Sequence, residues 1–267
     1  MKRQKIGEGN TAEIFVYEPG KILKLFREKL PDKACDREWK NTKQAGMYFS
    51  FVPKVYGKIS ENGRQGIIYE QLSGGDMLKR MLLCFWKRRR YARELARLHV
   101  QMHQKKYAGS SKECPVLSVK EKLSEDIQAA GELSLEEKAR WVKELEKLPE
   151  GDKICHFDYH PGNVIMDGKR SVVIDWMTLC IGDPAADVAR TKLLLKDAVV
   201  PVKSVFVKKM IQRFQGKICQ AYLEEYQRLT GMNEERIAVW EKVICAARLR
   251  EWIPEEEKRR LLQRLRG

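Results

Sequence analysis

Alternating apolar and polar residues in the first part of the chain predict a set of short β-strands. These strands are predicted at residues 14–17, 22–26, 52–56 and 66–70. The first two are separated by Glu18-Pro-Gly-Lys21, whose proline and glycine favour a tight turn. Good helix formers fill residues 32–45, and the helix is expected to end at Gly46. Residues 1–72 are therefore predicted to form a lobe with a small antiparallel sheet and one helix.

Beyond Ser73-Gly-Gly75 the pattern changes from strand spacing to helix spacing. Leu95, Leu98 and Met102 recur at the interval that places side chains on one face of a helix. A helix over residues 88–104 is therefore predicted, and its apolar face is expected to lie in the core.

The rest of the chain is mostly helical in pattern, with one interruption. Residues 138–148 form another helix candidate, and helices are expected again from Pro184 onward. Residues 154–175 instead predict a strand, a loop and a second strand, with a small turn at residues 167–169. The prediction is an α+β chain with two lobes, the second of which is larger, mostly helical and covers residues 73–267.

Composition narrows the class of protein. The chain has 267 residues, 43% of them hydrophobic, and a mean hydropathy of -0.52, which favours a globular protein. No uncharged apolar stretch approaches the roughly 18 residues of a membrane-spanning helix, and the basic N-terminus lacks the apolar run of a signal peptide. The seven cysteines are dispersed without a C-x-x-C pair, so we expect reduced thiols and a cytoplasmic protein.

The formal net charge of +15 is unusual, and much of it is local. One basic cluster comprises Lys79, Arg80, Lys87, Arg88, Arg89, Arg90, Arg93 and Arg97. Only Asp76 and Glu94 oppose it nearby. Because Leu95 and Leu98 face inward on the predicted helix, the cluster is interpreted as a solvated helix face. We expect no specific nucleic-acid partner, since the chain carries no recognised nucleic-acid module.

Candidate chemistry appears first in His156-Phe-Asp-Tyr-His-Pro-Gly-Asn163. Asp158 and Asn163 have the spacing H-x-D-x-x-x-x-N of a kinase catalytic loop. A hydrophobic run then leads to Asp175, where a kinase holds its Mg²⁺. A carboxylate that orients a hydroxyl and two hard oxygen ligands for a metal are the groups that phosphoryl transfer needs.

A second candidate is the glycine-rich segment Ile6-Gly-Glu-Gly-Asn-Thr11 ahead of the first strands. Gly7, Gly9 and Asn10 form a turn whose backbone N–H groups can approach phosphates closely. Lys24 in the following strand is then well placed for the α and β phosphates of ATP.

Lys24 needs a carboxylate partner, and the predicted helix offers Glu38. We choose Glu38 because Trp39 beside it can pack inward. Three acidic residues stay open as alternatives, namely Glu28, Asp32 and Asp36. The segment Tyr69-Glu-Gln-Leu72 would form a hinge, with Glu70 and Leu72 offering backbone groups to the adenine edge.

Together these features resemble the aminoglycoside phosphotransferase family, the small-molecule branch of the protein-kinase-like fold. The resemblance extends to about residue 195 and is strongest in three motifs. They are His156-Phe-Asp-Tyr-His-Pro-Gly-Asn163, Ile174-Asp-Trp176 and Gly182-Asp-Pro-Ala-Ala-Asp-Val-Ala189. It implies a two-lobed fold, a catalytic Asp158, and Asn163 and Asp175 as Mg²⁺ ligands. It also implies that His156, Asp183 and Asp187 position the catalytic loop.

A protein kinase fits the sequence less well. Phe157 replaces the arginine of a protein-kinase catalytic loop, and Trp176 and Met177 follow Asp175 in place of Phe-Gly. Only a short stretch separates Asp175 from Asp183, which leaves little room for an activation loop. We therefore expect transfer of the γ-phosphate of Mg-ATP to a hydroxyl of a small, diffusible acceptor.

The acceptor itself stays open. The helical tail carries carboxylates suited to a polycation, at Glu224, Glu225, Glu234, Glu235, Glu251 and Glu255–Glu257. A chain of net charge +15 instead favours an anionic or neutral acceptor at long range. Trp240 and Trp252 are candidates for an acceptor pocket or for the core. Two further hypotheses are a non-catalytic ATP-binding protein and a basic protein that binds polyanions or membrane surfaces.

Overall fold

The N-terminal strands form one antiparallel sheet. The structure is a computed structural model that describes residues 3–28, 30, 32–109, 116–168, 170–198 and 205–267. The side chains of residues 32 and 205–208 are not described. The strands are β1 (Lys5–Glu8), β2 (Ala12–Glu18), β3 (Lys21–Phe26), β4 (Val55–Glu61) and β5 (Arg64–Glu70). Their order across the sheet is β1-β2-β3-β5-β4. Three predicted strands are confirmed, whereas β4 begins after Pro53, which has no N–H to donate to a neighbouring strand. The sequence did not predict β1.

The two faces of β3 carry different side chains, because successive residues of a strand point in opposite directions. Leu23 and Leu25 belong to an apolar cluster on one face. Phe26 belongs to a second cluster that includes residues of α1 (Asp32–Tyr48). Lys24 has the parity of Phe26, so its side chain points toward the face that α1 covers.

Helix α1 extends beyond its predicted end. The sequence placed the end at Gly46, but the helix continues through Tyr48. Phe49 follows, is buried and stacks on Phe51 and Trp176 at ring-centroid distances of 5.0 and 5.9 Å. This aromatic stack holds the last turn, so Gly46 is an ordinary helical residue and the predicted end is wrong.

Five short strands follow among the residues that the structure describes beyond β5. They are β6 (Gly75–Asp76), β7 (Lys153–Cys155), β8 (Val164–Asp167), β9 (Arg170–Val173) and β10 (Cys180–Gly182). One small sheet has the order β6-β8-β9, and β7 pairs with β10. The backbone at Gly74 passes so close to β8 that a Cβ there would overlap the carbonyl group of Met166. The predicted turn at residues 167–169 joins β8 to β9, although Lys169 lies outside the described residues.

The chain divides into two compact units that differ from the predicted lobes in their bounds. The first unit is Met1–Arg80 with Pro161–Thr178, and the second is Met81–His160 with Leu179–Gly267. Pairing of β6 with β8 draws residues 161–178 into the first unit. The predicted lobes, residues 1–72 and 73–267, instead divide the chain once, at the segment that contains Gly74 and Gly75.

Helices dominate the second unit. They are α2 (Met77–Leu83, which spans the division), α3 (Arg88–His103), α4 (Val119–Ala129), α5 (Leu135–Glu146), α6 (Pro184–Asp197), α7 (Val205–Thr230), α8 (Glu234–Arg248) and α9 (Glu255–Arg266). The predicted face of α3 is confirmed, since Leu95, Leu98 and Met102 are buried and α3 packs along α7. Helix α5 begins earlier than predicted, because Ser134 and Glu137 form a capping box at its N-terminus.

Two expectations from composition concern the whole chain. Among the residues described, no helix has the length and apolarity needed to cross a membrane. The six described cysteines are free thiols, and Cys114 lies outside the described residues.

Candidate functional site

Lys24 forms the centre of a partly buried charge cluster in the first unit, with side-chain exposures of 12% for Lys24, 1% for Glu38 and 30% for Asp175. Its Nζ donates hydrogen bonds to both carboxylate oxygens of Glu38, at 2.7 and 2.8 Å, and lies 3.2 Å from Oδ1 of Asp175. Burial alone would lower the pKa of Lys24, but the carboxylates of Asp175 and Glu38 outweigh it and raise that pKa. The lysine therefore stays a cation, and it lies between Ile22 and Phe26 on an otherwise apolar strand face.

Two further side chains hold Glu38. The hydroxyl of Tyr69 donates to Glu38 Oε1 at 2.8 Å, and Thr42 donates to the Glu38 carbonyl oxygen at 2.8 Å. Burial raises the pKa of Tyr69 well above its usual value, and the neighbouring Glu38 adds to the effect, so the phenol stays a donor. The sequence interpretation of the hinge overlooked Tyr69, whose partner lies 31 residues away.

The structure distinguishes Glu38 from the other acidic residues considered as partners of Lys24. Asp36 is exposed and pairs with Lys58 on the surface. Glu28 is exposed as well, and the side chain of Asp32 lies outside the described residues. Glu38 is only 1% exposed, on the face of α1 that carries the partly buried Trp39.

Asp175 follows β9 in a conformation that favours glycine. Its φ is 65°, a left-handed value that costs an ordinary residue energy and that clusters at functional sites. The preceding Ile174 donates its N–H to the carbonyl oxygen of Asn163 at 2.9 Å, and Trp176 donates its indole N–H to Val173 at 2.9 Å. These bonds fix the backbone on both sides of Asp175 and join it to the turn that carries Asn163.

The glycine-rich turn between β1 and β2 is closed by its own backbone. Gly9 donates its N–H to the Ala12 carbonyl oxygen at 2.8 Å, and the Arg27 guanidinium donates to the Gly9 carbonyl oxygen. Gly7 lies against Ile14 across the hairpin, and Asn10 is exposed at the tip. The turn thus exposes Gly9 and Asn10 at the edge of the sheet.

In the predicted hinge, residues 69–72, some backbone N–H groups already form hydrogen bonds within the fold. Glu70 donates its N–H to Lys54 at 3.0 Å, and Gln71 donates its N–H to Gly20 at 2.8 Å. The Glu70 carboxylate pairs with Arg170 at 3.1 Å. Leu72, which is half-buried, follows these two residues.

In the second unit, Asp158 follows two residues, His156 and Phe157, whose backbone N–H groups are hydrogen-bonded. Both oxygens of Asp187 accept hydrogen bonds from this segment, from the N–H of His156 at 2.6 Å and of Phe157 at 3.0 Å. Phe157 has a φ of 64°, rare for a bulky residue, and Asp158 donates its N–H to Nδ1 of the buried His156 at 3.3 Å. Asp187 and His156 therefore brace the segment as predicted.

Arg190 of α6 adds a positive charge that the sequence interpretation missed. Its guanidinium donates to the Phe157 carbonyl oxygen at 3.3 Å, lies 3.8 Å from Asp158 Oδ1 and contacts Glu251 at 2.6 Å. His160 lies 3.9 Å from Asp158 on another side. Asp183, predicted to brace the same segment, caps α6 and pairs with Arg236.

Behind Asp187 lies a buried network of histidines and tyrosines. His99 Nδ1 and His103 Nδ1 contact the hydroxyls of Tyr222 and Tyr226 at 2.6 and 2.7 Å. Both Nε2 atoms approach Asp187 Oδ2, at 3.0 and 3.3 Å, the first outside regular hydrogen-bond angles. Burial, with His103 nearby, lowers the pKa of His99 to about 4, whereas the two histidines hold the pKa of Asp187 well below its usual range.

His99, His103 and Asp187 also have the composition of a metal site, with ligand atoms within 4.8 Å of one another. Each imidazole, however, already contacts a tyrosine hydroxyl at Nδ1 and turns Nε2 toward Asp187, which it approaches as an Nε2–H tautomer, although only His103 meets hydrogen-bond geometry there. Asp187 in turn accepts two backbone N–H groups. The cluster is therefore a hydrogen-bond network that supports the Asp158 segment.

The two tryptophans considered for the acceptor have different environments. Trp240 is fully buried in α8 and belongs to the core. Trp252, in the turn between α8 and α9, is 80% exposed and follows Glu251 directly. Of the two, only Trp252 is accessible to a ligand.

The order of the elements is that of the protein-kinase-like fold. A model of the phosphotransferase enzyme family matches residues 4–232, and the chain belongs to that family, as the resemblance to aminoglycoside phosphotransferases predicted. No curated protein matches the sequence at a significant level.

Solved structures of similar fold include kinases of small molecules. The choline kinase LicA from Streptococcus pneumoniae is 17% identical, with a TM-score of 0.63 over 100% of this chain and 93% of that one. An aminoglycoside-3'-phosphotransferase of type VIII is 18% identical, with a TM-score of 0.60 over 91% of both chains. The streptomycin–ATP complex of APH(2")-IIa is 15% identical, with a TM-score of 0.60 over 99% of this chain and 90% of that one.

Proposed function

We propose that the protein transfers the γ-phosphate of Mg-ATP to a hydroxyl of a small-molecule acceptor. The observation that carries the proposal is the buried Lys24, which is bonded to Glu38 and 3.2 Å from Asp175. Burying a lysine with two carboxylates is expensive for packing alone, and residues of the same volume without charge would serve a structural role equally well. A fixed cation beside a metal-ligating carboxylate suits the phosphates of ATP.

Asn163 and Asp175 fit a magnesium ion. Both offer hard oxygen ligands of the kind that Mg²⁺ prefers, and the hydrogen bond from Ile174 to Asn163 ties their backbones together. Bound there, Mg²⁺ would neutralise charge on the phosphates. The left-handed conformation of Asp175 suits this role, because a strained backbone at a ligand fixes the direction of its carboxylate.

The remaining nucleotide contacts are assigned to backbone and to Lys24. Since Glu70 and Gln71 already donate their N–H groups, the N–H of Leu72 is the hinge donor that we assign to adenine. Gly7, Gly9 and Asn10 would cover the phosphates, and Lys24 would bind the α and β phosphates. A relative of the same fold, APH(2")-IIa, was solved with ATP, which supports this choice of nucleotide.

Asp158 is the proposed catalytic residue. It would accept a hydrogen bond from the acceptor hydroxyl and aim that oxygen at the γ-phosphorus, taking the proton as the new P–O bond forms and the bond to the β-phosphate oxygen breaks. Arg190, held by Phe157 and Glu251, positions the Asp158 side chain. Most of the rate gain would come from positioning and electrostatics.

The proposed acceptor is neutral or anionic, because the tail carboxylates are already paired with cations. Seven of them form ion pairs within the fold: Glu224, Glu225, Glu234, Glu251, Glu255, Glu256 and Glu257. Glu251, the one near Asp158, contacts both Arg190 and Arg248. A polycation such as an aminoglycoside would have to compete with these arginines and lysines for each of the seven carboxylates, whereas the exposed Glu235 pairs with no cation among the described residues.

The test is ADP release by the purified protein with Mg-ATP across hydroxylated acceptors, including sugars, nucleosides, amino alcohols and aminoglycosides. Acceptor-dependent release is expected with a neutral or anionic compound. Asp158→Asn should lower turnover by about 10²–10⁴-fold while nucleotide binding measured by calorimetry persists. Asp152→Asn, at an exposed aspartate of the same unit that pairs with Lys106, is the matched control and should behave as the wild type.

Two results would contradict the proposal. Turnover in Asp158→Asn equal to that of the wild type would remove Asp158 from the mechanism. Tight nucleotide binding without release for any acceptor class would favour a non-catalytic ATP-binding protein. A preference for aminoglycosides would retain the kinase and overturn the proposed charge of its acceptor.

A further inference from the structure

Large apolar side chains are exposed on the second unit at the end of α2 and in the turn that leads to α3. Leu82, Leu83, Phe85 and Trp86 are 61%, 77%, 59% and 66% exposed, respectively. They are consecutive but for Cys84, and the turn of Phe85–Lys87 contains no buried residue. Single exposed apolar residues are common on proteins, but a contiguous group marks an interaction surface.

Phe85 and Trp86 form an ordered pair. Their rings meet edge to face, with centroids 5.2 Å apart and planes at 82°. They line one side of a cleft whose other side includes Lys217 and Gln220 of α7. The two rings therefore lie together at the surface, where a partner can contact both.

Cations follow these apolar residues directly. Lys87, Arg88, Arg89 and Arg90 are consecutive, and Arg89 pairs with Glu224 at 3.2 Å while Arg88 lies 5.8 Å from the ring centroid of Phe214. Within the described part of the chain, Lys87 and Arg90 have no carboxylate within ion-pair distance. A positive charge thus stands uncompensated beside the apolar group.

The position of these cations works against the stability of α3. Arg88, Arg89 and Arg90 occupy its first turn, where the helix dipole favours acidic residues, and Lys87 at the N-cap position has no acceptor to offer. The same chain begins α4 and α5 with serine capping boxes and glutamates. The N-terminus of α3 therefore lacks the capping and acidic residues that begin α4 and α5, and this departure indicates a function for the cations.

Three kinds of partner are possible for such a surface, and charge distinguishes them. A second copy of this chain would place like charges opposite each other. A nucleic acid would bind the cations and stack on the rings, but it offers nothing apolar to Leu82 and Leu83. An anionic bilayer matches both parts, because lipid headgroups bind lysine and arginine while leucine, phenylalanine and tryptophan enter the boundary with the acyl chains.

We propose that Leu82, Leu83, Phe85, Trp86, Lys87 and Arg90 form a docking surface for anionic membranes. The apolar residues enter the interface and the cations contact the headgroups. The surface lies outside the residues assigned to phosphotransfer, so the proposal stands independently of the catalytic function.

Flotation of the full chain with lipid vesicles tests the proposal. Binding is expected to vesicles of phosphatidylcholine with phosphatidylglycerol, to fall with added salt, and to be far weaker with phosphatidylcholine alone. Phe85→Ser with Trp86→Ser should weaken binding by about tenfold or more through the loss of apolar burial. Lys87→Glu with Arg90→Glu should do the same, because each cation near an anionic surface contributes about fivefold in affinity.

The variant Lys87→Glu with Arg90→Glu is not expected to lose binding through unfolding. Acidic residues at the start of α3 favour the helix, so thermal stability should be kept or raised while binding is lost. Lys143→Glu with Arg259→Glu changes the net charge equally at exposed positions of α5 and α9, and should bind almost as the wild type does. Trp252→Ser, at another exposed tryptophan, controls for general surface apolarity.

Insertion of Trp86 can be measured separately. Brominated acyl chains should quench part of the tryptophan fluorescence of the bound protein, and Trp86→Phe should bind while losing that part. Binding that is unchanged in the Phe85→Ser, Trp86→Ser variant would overturn the proposal in favour of a purely electrostatic polyanion surface. Absence of vesicle binding, or self-association that these serines abolish, would overturn it in favour of contacts between protein chains.

Discussion

The Nζ of Lys24 lies 2.7 and 2.8 Å from the two carboxylate oxygens of Glu38. This pairing joins β3 to α1, and it determines where the cation stands relative to Asp175. The position of the lysine that we propose to bind the phosphates therefore depends on a residue that need not touch the nucleotide.

Replacement of Glu38 by glutamine should weaken the use of ATP. The amide keeps the size of the side chain but removes one of the two charges that hold Lys24, so the lysine moves toward Asp175. We expect kcat/KM for ATP to fall by about 10²-fold, as for other ångström-scale displacements of catalytic groups. Asp36→Asn, on the same helix but exposed and paired with Lys58, should stay near the wild type. Steady-state kinetics with both variants checks this, and equal loss in both would contradict it.

Gly74 should tolerate no side chain, whereas Gly75 should accept one. A Cβ at Gly74 would overlap the Met166 carbonyl, but at Gly75 it would meet no described atom within 4 Å. Gly74→Ala should therefore lower the free energy of unfolding by about 1–3 kcal/mol, and Gly75→Ala should change it by less than about 0.5 kcal/mol. Thermal unfolding of the two variants side by side makes the comparison, and similar transition temperatures would contradict it.

Tyr226→Phe should affect turnover from a distance. The change removes the hydroxyl that contacts His103 Nδ1 and leaves a buried nitrogen without its donor, which costs about 1–3 kcal/mol of stability. Since His103 contacts Asp187, which holds the His156–Phe157 backbone, kcat should fall while KM for ATP stays unchanged. Tyr56→Phe, at an exposed tyrosine, is the control. A change in stability with an unaltered kcat would show that the network is structural only.

The stability of the fold should decrease between about pH 6.5 and pH 4. Burial and His103 lower the pKa of His99 to about 4 in the folded chain, from 6.5 for an unperturbed histidine. In this interval the unfolded chain binds a proton that the folded chain does not, so unfolding becomes easier as the pH falls, by at most about 3 kcal/mol. Thermal unfolding across the interval should show this slope, and His99→Gln should flatten it. An unchanged slope in the variant would assign the effect to other groups.

Local signals in the sequence predicted a large part of this molecule. The alternation of apolar and polar residues, together with the turn residues, is enough to predict the hairpin of β2 and β3. The spacing of Leu95, Leu98 and Met102 is enough to predict the buried face of α3. The end of α1 could not be predicted in this way, because the stack of Phe49 on Trp176 brings together residues far apart in sequence.

The residues of the candidate site likewise include some that local sequence signals predict and some that they do not. The spacing of Asp158, Asn163 and Asp175 is a local signal, and the sequence named these residues as candidates. Tyr69 and Arg190 carry no local signal, since a tyrosine at a strand end and an arginine in a helix are ordinary. Their importance comes from partners that the chain brings close only on folding, 31 and 33 residues away.

The ion-paired carboxylates of the helical tail bear on how this chain could evolve. Most of its tail carboxylates, the groups that a polycation would bind, are each paired with a neighbouring base. Loss of one base, such as Lys192 between Glu234 and Glu241, would release two carboxylates at once without a new acidic residue.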